Sequence, residues 1–275
     1  MSRVITLILN QRSVCQEEAK QTRLFVVLSI YTILIFLVSL SVGKYHVPPL
    51  ETLKILLSTV LPVHQSWSDQ MQNVVLNMRL PRLCVGLLTG AALSLSGATY
   101  QGMFRNPLVS PDLLGVSAGA CVGAALAIIL HFNSLGVQLM ALIFGLAAVL
   151  FTTTIPRLLK NDSSLMLVLA GVIVGGFMSS LLGIFKYVAD PEMELASIVY
   201  WTMGSFASIK AQAIVWVAPP MILSAAVLLL IRWRINLLSL GDKEARSLGL
   251  NVRRVRGLAI VCATILTACA VCISG

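Results

Sequence analysis

The chain has 275 residues, of which 57% are apolar and only 11% charged, and its mean hydropathy is +0.91. A soluble domain of this length would carry about 25% charged residues, so a water-soluble globule is excluded. The formal charge of +9 is spread over short polar segments between apolar runs. With no basic soluble face, the charge does not point to a nucleic-acid-binding protein.

The first apolar run, 24–42, is long enough to cross a hydrocarbon core of about 30 Å, which takes roughly 20 helical residues. Glu17 and Glu18 precede it and no small-residue cleavage site follows. It therefore reads as an anchored helix and not as a cleaved signal peptide. Six further runs qualify: 83–100, 113–132, 137–155, 165–188, 213–231 and 258–274. The pattern predicts an all-α, polytopic bundle of about seven spans forming a single membrane domain over 1–275. Two connecting segments exceed a turn, 43–82 and 189–212, and residues 48–61 predict a short interfacial helix within the first.

Orientation follows from Lys and Arg placement. With the N-terminus inside, the inner segments hold fourteen of these residues and the outer segments six, among them Arg79, Arg82, Lys186 and Lys210, which accounts for all 20. The net charge is thus mainly a topology signal. It predicts a multi-pass protein of a membrane, in contact with lipid, with its N-terminus in the cytoplasm.

Five of the six cysteines, Cys84, Cys121, Cys262, Cys269 and Cys272, lie in apolar runs. Cys269 and Cys272 are spaced as a CxxC, but with no third or fourth ligand nearby they read as small apolar residues and not as a redox or metal site. Small residues recur at helical spacing: Gly86 and Gly90 with Ser94 and Gly97, then Gly115, Gly119 and Gly123, then Gly171 and Gly175. Such spacing lets helix backbones approach where lipid supplies no hydrophobic drive for association, and it predicts a compact bundle.

No Asp, Glu or Arg falls well inside a predicted span, and Lys186 sits near an end. Ion-coupled carriers commonly hold intramembrane ionisable groups. Intramembrane hydrolases need a nucleophile with a base or a metal motif. His46, His64 and His131 have no ligand spacing, so neither an ion-coupled carrier nor an enzyme site is evident, and no P-loop is present. Attention moves to the polar segment 241–250, which reads as a short helix. Asp242 can cap its first turn and Gly249 can stop it in a left-handed conformation. Ala245 and Gly249 give it a small face. From these residues alone, a solvated loop and a docking helix for a soluble partner are equally good readings.

Four motifs in order bear on that choice. They are Arg79-Leu80-Pro81-Arg82, the run GAALSLSGATYQGMFRNPLVSPDLLGVSAGA at 90–120, YWTMGSF at 200–206 and LGDKEARSLGLNV at 240–252. Together they resemble the permease subunit of FecCD-type ABC importers, a family that takes up iron(III)-siderophores, vitamin B12 and haem. The resemblance runs from about residue 79 to the end of the chain, and the order and spacing of all four motifs agree.

The resemblance implies a bundle of about ten spanning helices. This sequence stops at Ile273-Ser274-Gly275, so it reads as a permease domain lacking the family's C-terminal helices. The implied function is an importer permease, for an iron(III)-siderophore first, with haem, vitamin B12 or an oxyanion as alternatives, and a non-transporting fragment or scaffold as another. The implied place is the inner membrane of a bacterium. The implied partners are cytoplasmic ATPase subunits, a second permease subunit in a homo- or heterodimer, and a periplasmic or lipoprotein substrate-binding protein. No cofactor is implied in this subunit, and ATP hydrolysis would reside in the separate ATPase.

The implied coupling helix comprises Gly241, Asp242, Glu244, Ala245, Arg246, Leu248 and Gly249, with Ala245 and Gly249 packed closely on the ATPase. Arg79 and Arg82 match arginines that meet acidic groups on a binding protein, against which stands a plain membrane-flank pair. Arg105, Asn106 and Pro107 form a structural turn, with Pro107 biasing Asn106 away from helix. Gly86, Gly90, Gly97, Gly115 and Gly119 serve helix packing.

Overall fold

The structure is a computed structural model that describes every residue except Met1, Val60, Val63, Asn161, Asp162, Ser208 and Lys210; the side chains of 2–19, Ser164 and 211–213 are also outside the description. Lys210 and the side chains of Glu17 and Glu18, named above, therefore lie outside what is described. Among the described residues the elements are all helical: α1 (Ser2–Ser41), α2 (Pro49–Ser58), α3 (Asp69–Asn73), a π-helical turn (Val74–Arg79), α4 (Leu80–Phe104), α5 (Val116–Ile129), α6 (Ser134–Leu158), α7 (Ser164–Val188), α8 (Glu194–Met203), α9 (Ala211–Leu230), α10 (Arg232–Leu240), α11 (Asp242–Ser247) and α12 (Val252–Ser274).

Among the described residues, five helices are long and apolar enough to cross a membrane: Lys20–Ser41, Asp69–Phe104, Ser134–Leu158, Leu165–Val188 and Val252–Ser274. A sixth span requires α9 and α10 together, which meet at a 56° bend. The predicted span at 113–132 is the one that changes. Its helix, α5, has only 14 residues, or about 21 Å at 1.5 Å per residue, short of a hydrocarbon core. The cause lies in the flanks. Asp112 accepts the Ser117 amide at 2.7 Å and Gly115 adopts φ +79°, so the chain turns before the helix can start. At the other end, Asn133 already caps α6 through the Gly136 amide. A short helix is tolerable here because α5 is enclosed by protein, with Ala120, Val122 and Ala125 fully buried.

The chain divides into two compact units, Met1–Leu83 and Cys84–Gly275. In the first, α1 ends in a tight loop and α2 begins at Pro48-Pro49, confirming a short helix within 48–61. Leu40, Val47, Ile55, Trp67 and Val75 form its core.

In the second unit, α12 is the most enclosed of the five spans. It lies against α4 through buried hydroxyls. Ser96 Oγ donates to the Ala263 carbonyl at 3.2 Å and lies 2.8 Å from Thr267 Oγ1, and Tyr100 Oη lies 3.2 Å from Thr264 Oγ1. Such bonds between spanning helices contribute about 0.6 kcal/mol each. Cys269 and Cys272 are buried in the apolar clusters on α12, packing as small side chains.

The glycines separate into two groups. A Cβ on Gly119 would stand 2.6 Å from the Phe144 carbonyl oxygen, and one on Gly123 2.3 Å from that of Met140. At Gly171 the Leu113 carbonyl would be 2.2 Å away, and at Gly115 the Gly175 backbone 3.3 Å away. These positions fix the approach of α5 to α6 and α7. Gly86 and Gly90 are different, since a Cβ on either meets nothing within 4 Å, and Gly97 would make only ordinary contact with Pro111. The GxxxG pattern in α4 thus packs no helix among the described residues. The same spacing carries two meanings because spacing shows which residues share a face and not what that face meets.

Candidate coupling and docking sites

In the second unit, α10, α11 and the start of α12 meet at one end of the bundle, beside the turn that follows α4. Leu240 leads into Gly241, whose φ of +134° suits glycine. Gly241 is the N-cap of α11, and no side chain caps that end. The expected capping role of Asp242 is therefore corrected. Asp242 occupies the first helical position, and its Oδ1 instead accepts a hydrogen bond from Arg256 Nη2 of α12 at 2.7 Å.

The helix closes as the sequence suggested. Gly249 takes φ +79°, its amide donates to the Arg246 carbonyl and that of Leu250 to the Ala245 carbonyl, the paired pattern of a glycine-terminated helix.

Ala245 requires a second correction. It is fully buried within this chain's own core, in the cluster that holds Leu238, Val252 and Val255. It fastens α11 to the bundle and is not available to a partner. The face left open carries Lys243, Glu244, Arg246, Ser247, Leu248 and Gly249. Leu248 is 60% exposed, an apolar side chain among polar ones.

The turn after α4 reaches the same joint. Arg105 sits at φ 54°, and its Nη1 would lie 3.4 Å from a Cβ on Gly241. Asn106 Oδ1 accepts the Leu108 amide at 2.9 Å, while Gln101 Nε2 donates to the carbonyls of Pro107 and Val109. The segment is a turn closed by its own side chains, with Arg105 pointing to the start of α11.

In the first unit the two arginines of the Arg-Leu-Pro-Arg motif part company. Arg79, on which the π-helical turn ends, folds its guanidinium into the end of α1. Nη1 donates to the carbonyls of Leu40 at 2.7 Å and Ser41 at 3.0 Å, and Nη2 donates to that of Tyr45. The last carbonyls of a helix have no intrahelical donors, and a cation there also meets the negative end of the helix dipole. Gly43 makes room, since a Cβ there would stand 2.6 Å from Nη2. Arg79 is thus a helix cap acting across the loop, and Arg82 is the exposed member of the pair.

Sequence reasoning missed the Asp242–Arg256 pair, the α4–α12 hydroxyl contacts and the Arg79 cap. The hydroxyls left a trace, because Ser96 and Tyr100 stand four residues apart and Thr264 and Thr267 three apart, so each pair shares a helix face.

These features define an integral membrane protein whose second unit carries a fastened, partly polar helix joint at one end. The chain belongs to the FecCD transport family, whose family model matches residues 31–275. It is 36% identical over 250 residues to the molybdate import system permease protein MolB of Haemophilus influenzae, covering 90% of this chain and 73% of that protein. It is 40% identical over 215 residues to a protein of Helicobacter pylori named "Probable iron chelatin transport system permease protein", covering 78% of this chain and 64% of that one.

The fold matches a solved structure described as an inward-facing metal-chelate type ABC transporter. The TM-score is 0.80 at 36% identity, covering 92% of this chain and 76% of that chain. Other relatives are permease proteins for hemin and for vitamin B12. The chain is accordingly an ABC importer permease of this family and a multi-pass membrane protein.

Proposed function

We propose that this permease imports an iron(III)-siderophore, working with separate cytoplasmic ATPase subunits, a second permease subunit and an external binding protein. The observation that carries the coupling part is the joint at α11. It is an exposed face with one apolar side chain, Leu248, on a helix tied to two neighbouring segments. That suits contact with a soluble motor and leaves hydrolysis to the partner. The Lys and Arg residues of the connections at this end support a cytoplasmic position for it. Arg82 is then the outward group that meets acidic side chains of the binding protein.

The 40% identity to an iron chelatin permease supports the substrate. An oxyanion is the second reading, favoured by the match to a molybdate permease over 250 residues. Uptake into proteoliposomes holding the assembled transporter and its binding protein separates the two. Radiolabelled ferric siderophore should accumulate with ATP and molybdate should not. Molybdate uptake without iron uptake would establish the second reading.

A further inference from the structure

A small cavity of about 90 Å³ opens where the end of α6, the start of α7 and the start of α12 come together in the second unit. Arg157, Arg246, Arg253, Arg256 and Ser163 are among its polar lining. Among the described residues lining it, none is acidic. Asp242, just outside, is bonded to Arg256. Pro156, Leu167 and Ile260 form the apolar side.

The immediate surroundings tell what kind of anion fits. Leu158 and Leu165, flanking the α6–α7 connection, are 75% and 78% exposed. They sit at the ends of spanning helices, the level at which lipid headgroups give way to acyl chains. The cavity is far below the roughly 300 Å³ at which small-molecule pockets begin, so it takes one compact group. A phosphate of a free metabolite would have no use for the leucines beside it. A phospholipid uses both parts, with its phosphate among the arginines and its chains along Leu158 and Leu165. Arginine's planar fork suits phosphate oxygens, and basic pockets between spanning helices are a known form of anionic headgroup recognition.

We propose that this cavity is a binding site for the phosphate of an anionic phospholipid in the leaflet on the α11 side. The lipid would join the ends of α6 and α7 to the base of α12, beside Arg246 of the joint.

The test uses the purified full chain in nanodiscs of phosphatidylglycerol and phosphatidylcholine, with bound lipid counted by native mass spectrometry after release. The parent should retain phosphatidylglycerol over phosphatidylcholine. Arg157→Gln with Arg253→Gln should lower that retention on the order of 25-fold, at about fivefold per arginine near a membrane surface. Arg232→Gln with Arg234→Gln, basic positions outside the cavity, should leave it unchanged. Equal retention in both double variants overturns the proposal. So does displacement of the lipid by millimolar inorganic phosphate, which would make this a soluble-anion site.

A second measurement needs no substitution. Phosphatidylglycerol carrying a photoreactive group near its phosphate should cross-link the parent within 153–167 and 252–260. Cross-links confined to other segments overturn the assignment.

Discussion

Replacing Gly123 by Ala tests the packing account most directly, because the sequence and the structure rank the glycines differently. The new methyl would stand 2.3 Å from the Met140 carbonyl oxygen and 2.7 Å from Phe144 Cβ. Ordinary contact begins near 3.4 Å, so α5 and α6 must separate by about 1 Å or distort. Neither can slide easily. The obstacle is backbone, and Gly119, on the same face one turn earlier, meets Phe144 just as closely. Overpacking of this kind costs about 1–3 kcal/mol, which for a chain of this size lowers the melting temperature by about 2–10 °C. Gly90→Ala is the control. It adds a methyl to open space and gains helix propensity, up to about 1 kcal/mol in water.

The buried Cys262, Cys269 and Cys272 supply the assay. On a background of Cys15→Ser, Cys84→Ser and Cys121→Ser, their reaction with a thiol-reactive dye on heating in mild detergent reports unfolding. Gly123→Ala should melt earlier than the background protein, and Gly90→Ala at the same temperature or later. If Gly90→Ala costs as much as Gly123→Ala, the assignment of close packing to α5 and not to α4 is wrong.

Three further outcomes are expected. Arg79→Gln should destabilise the first unit by about 1.5–3 kcal/mol, the range for hydrogen bonds to a charged group. Arg82→Gln should stay within about 0.5 kcal/mol and instead weaken binding-protein association at low salt, and hydrogen exchange at 40–45 together with a binding titration separates the two. Leu248→Asp should reduce co-purification with the ATPase while leaving the melting curve intact, whereas Ala245→Trp should lower the melting temperature before any partner is added; the opposite pattern would return Ala245 to the partner surface. A cysteine at position 244 in a cysteine-free background should resist a membrane-impermeant thiol reagent in intact cells, and labelling from outside would reverse the orientation.

Much of the architecture is legible in the amino-acid sequence because lipid imposes a long, apolar, helical solution. Hence 24–42, 137–155, 165–188 and 258–274 all fall on long helices. The failure at 113–132 is instructive, since hydropathy measures what a segment is made of and not what covers it. Alanine and glycine in α5 are apolar enough for lipid, yet they serve a helix wrapped in protein. The site divides along the same line. The Gly249 stop is local chemistry and could be read from sequence. Arg79 reaches carbonyls 34 to 39 residues away, and Arg256 reaches Asp242 across the α11–α12 connection. Ala245 looked available for the reason that makes it buried, since a small residue suits any close contact, including one within the chain.

The fastening of α11 bears on how motion would pass through the joint. Ala245 is in the core, Asp242 is paired with Arg256 and Arg105 lies beside Gly241, so α11 is tied to α12 and to the end of α4. A push on Leu248 and its neighbours then has little local slack to absorb it. α12 in turn is linked to α4 through Ser96 and Thr267. The change of direction is on the other side, where α10 meets α9 at a 56° bend with only Ile231 between them. Closure of an ATPase would therefore move α10, α11 and the base of α12 together, with the change of angle taken up at Ile231. Spin labels at positions 243 and 261 should keep their distance when nucleotide binds the assembled transporter, while labels at 243 and 223 should change theirs. A changing 243–261 distance with a constant 243–223 distance would place the hinge between α11 and α12, and the fastening described above would not be what transmits the movement.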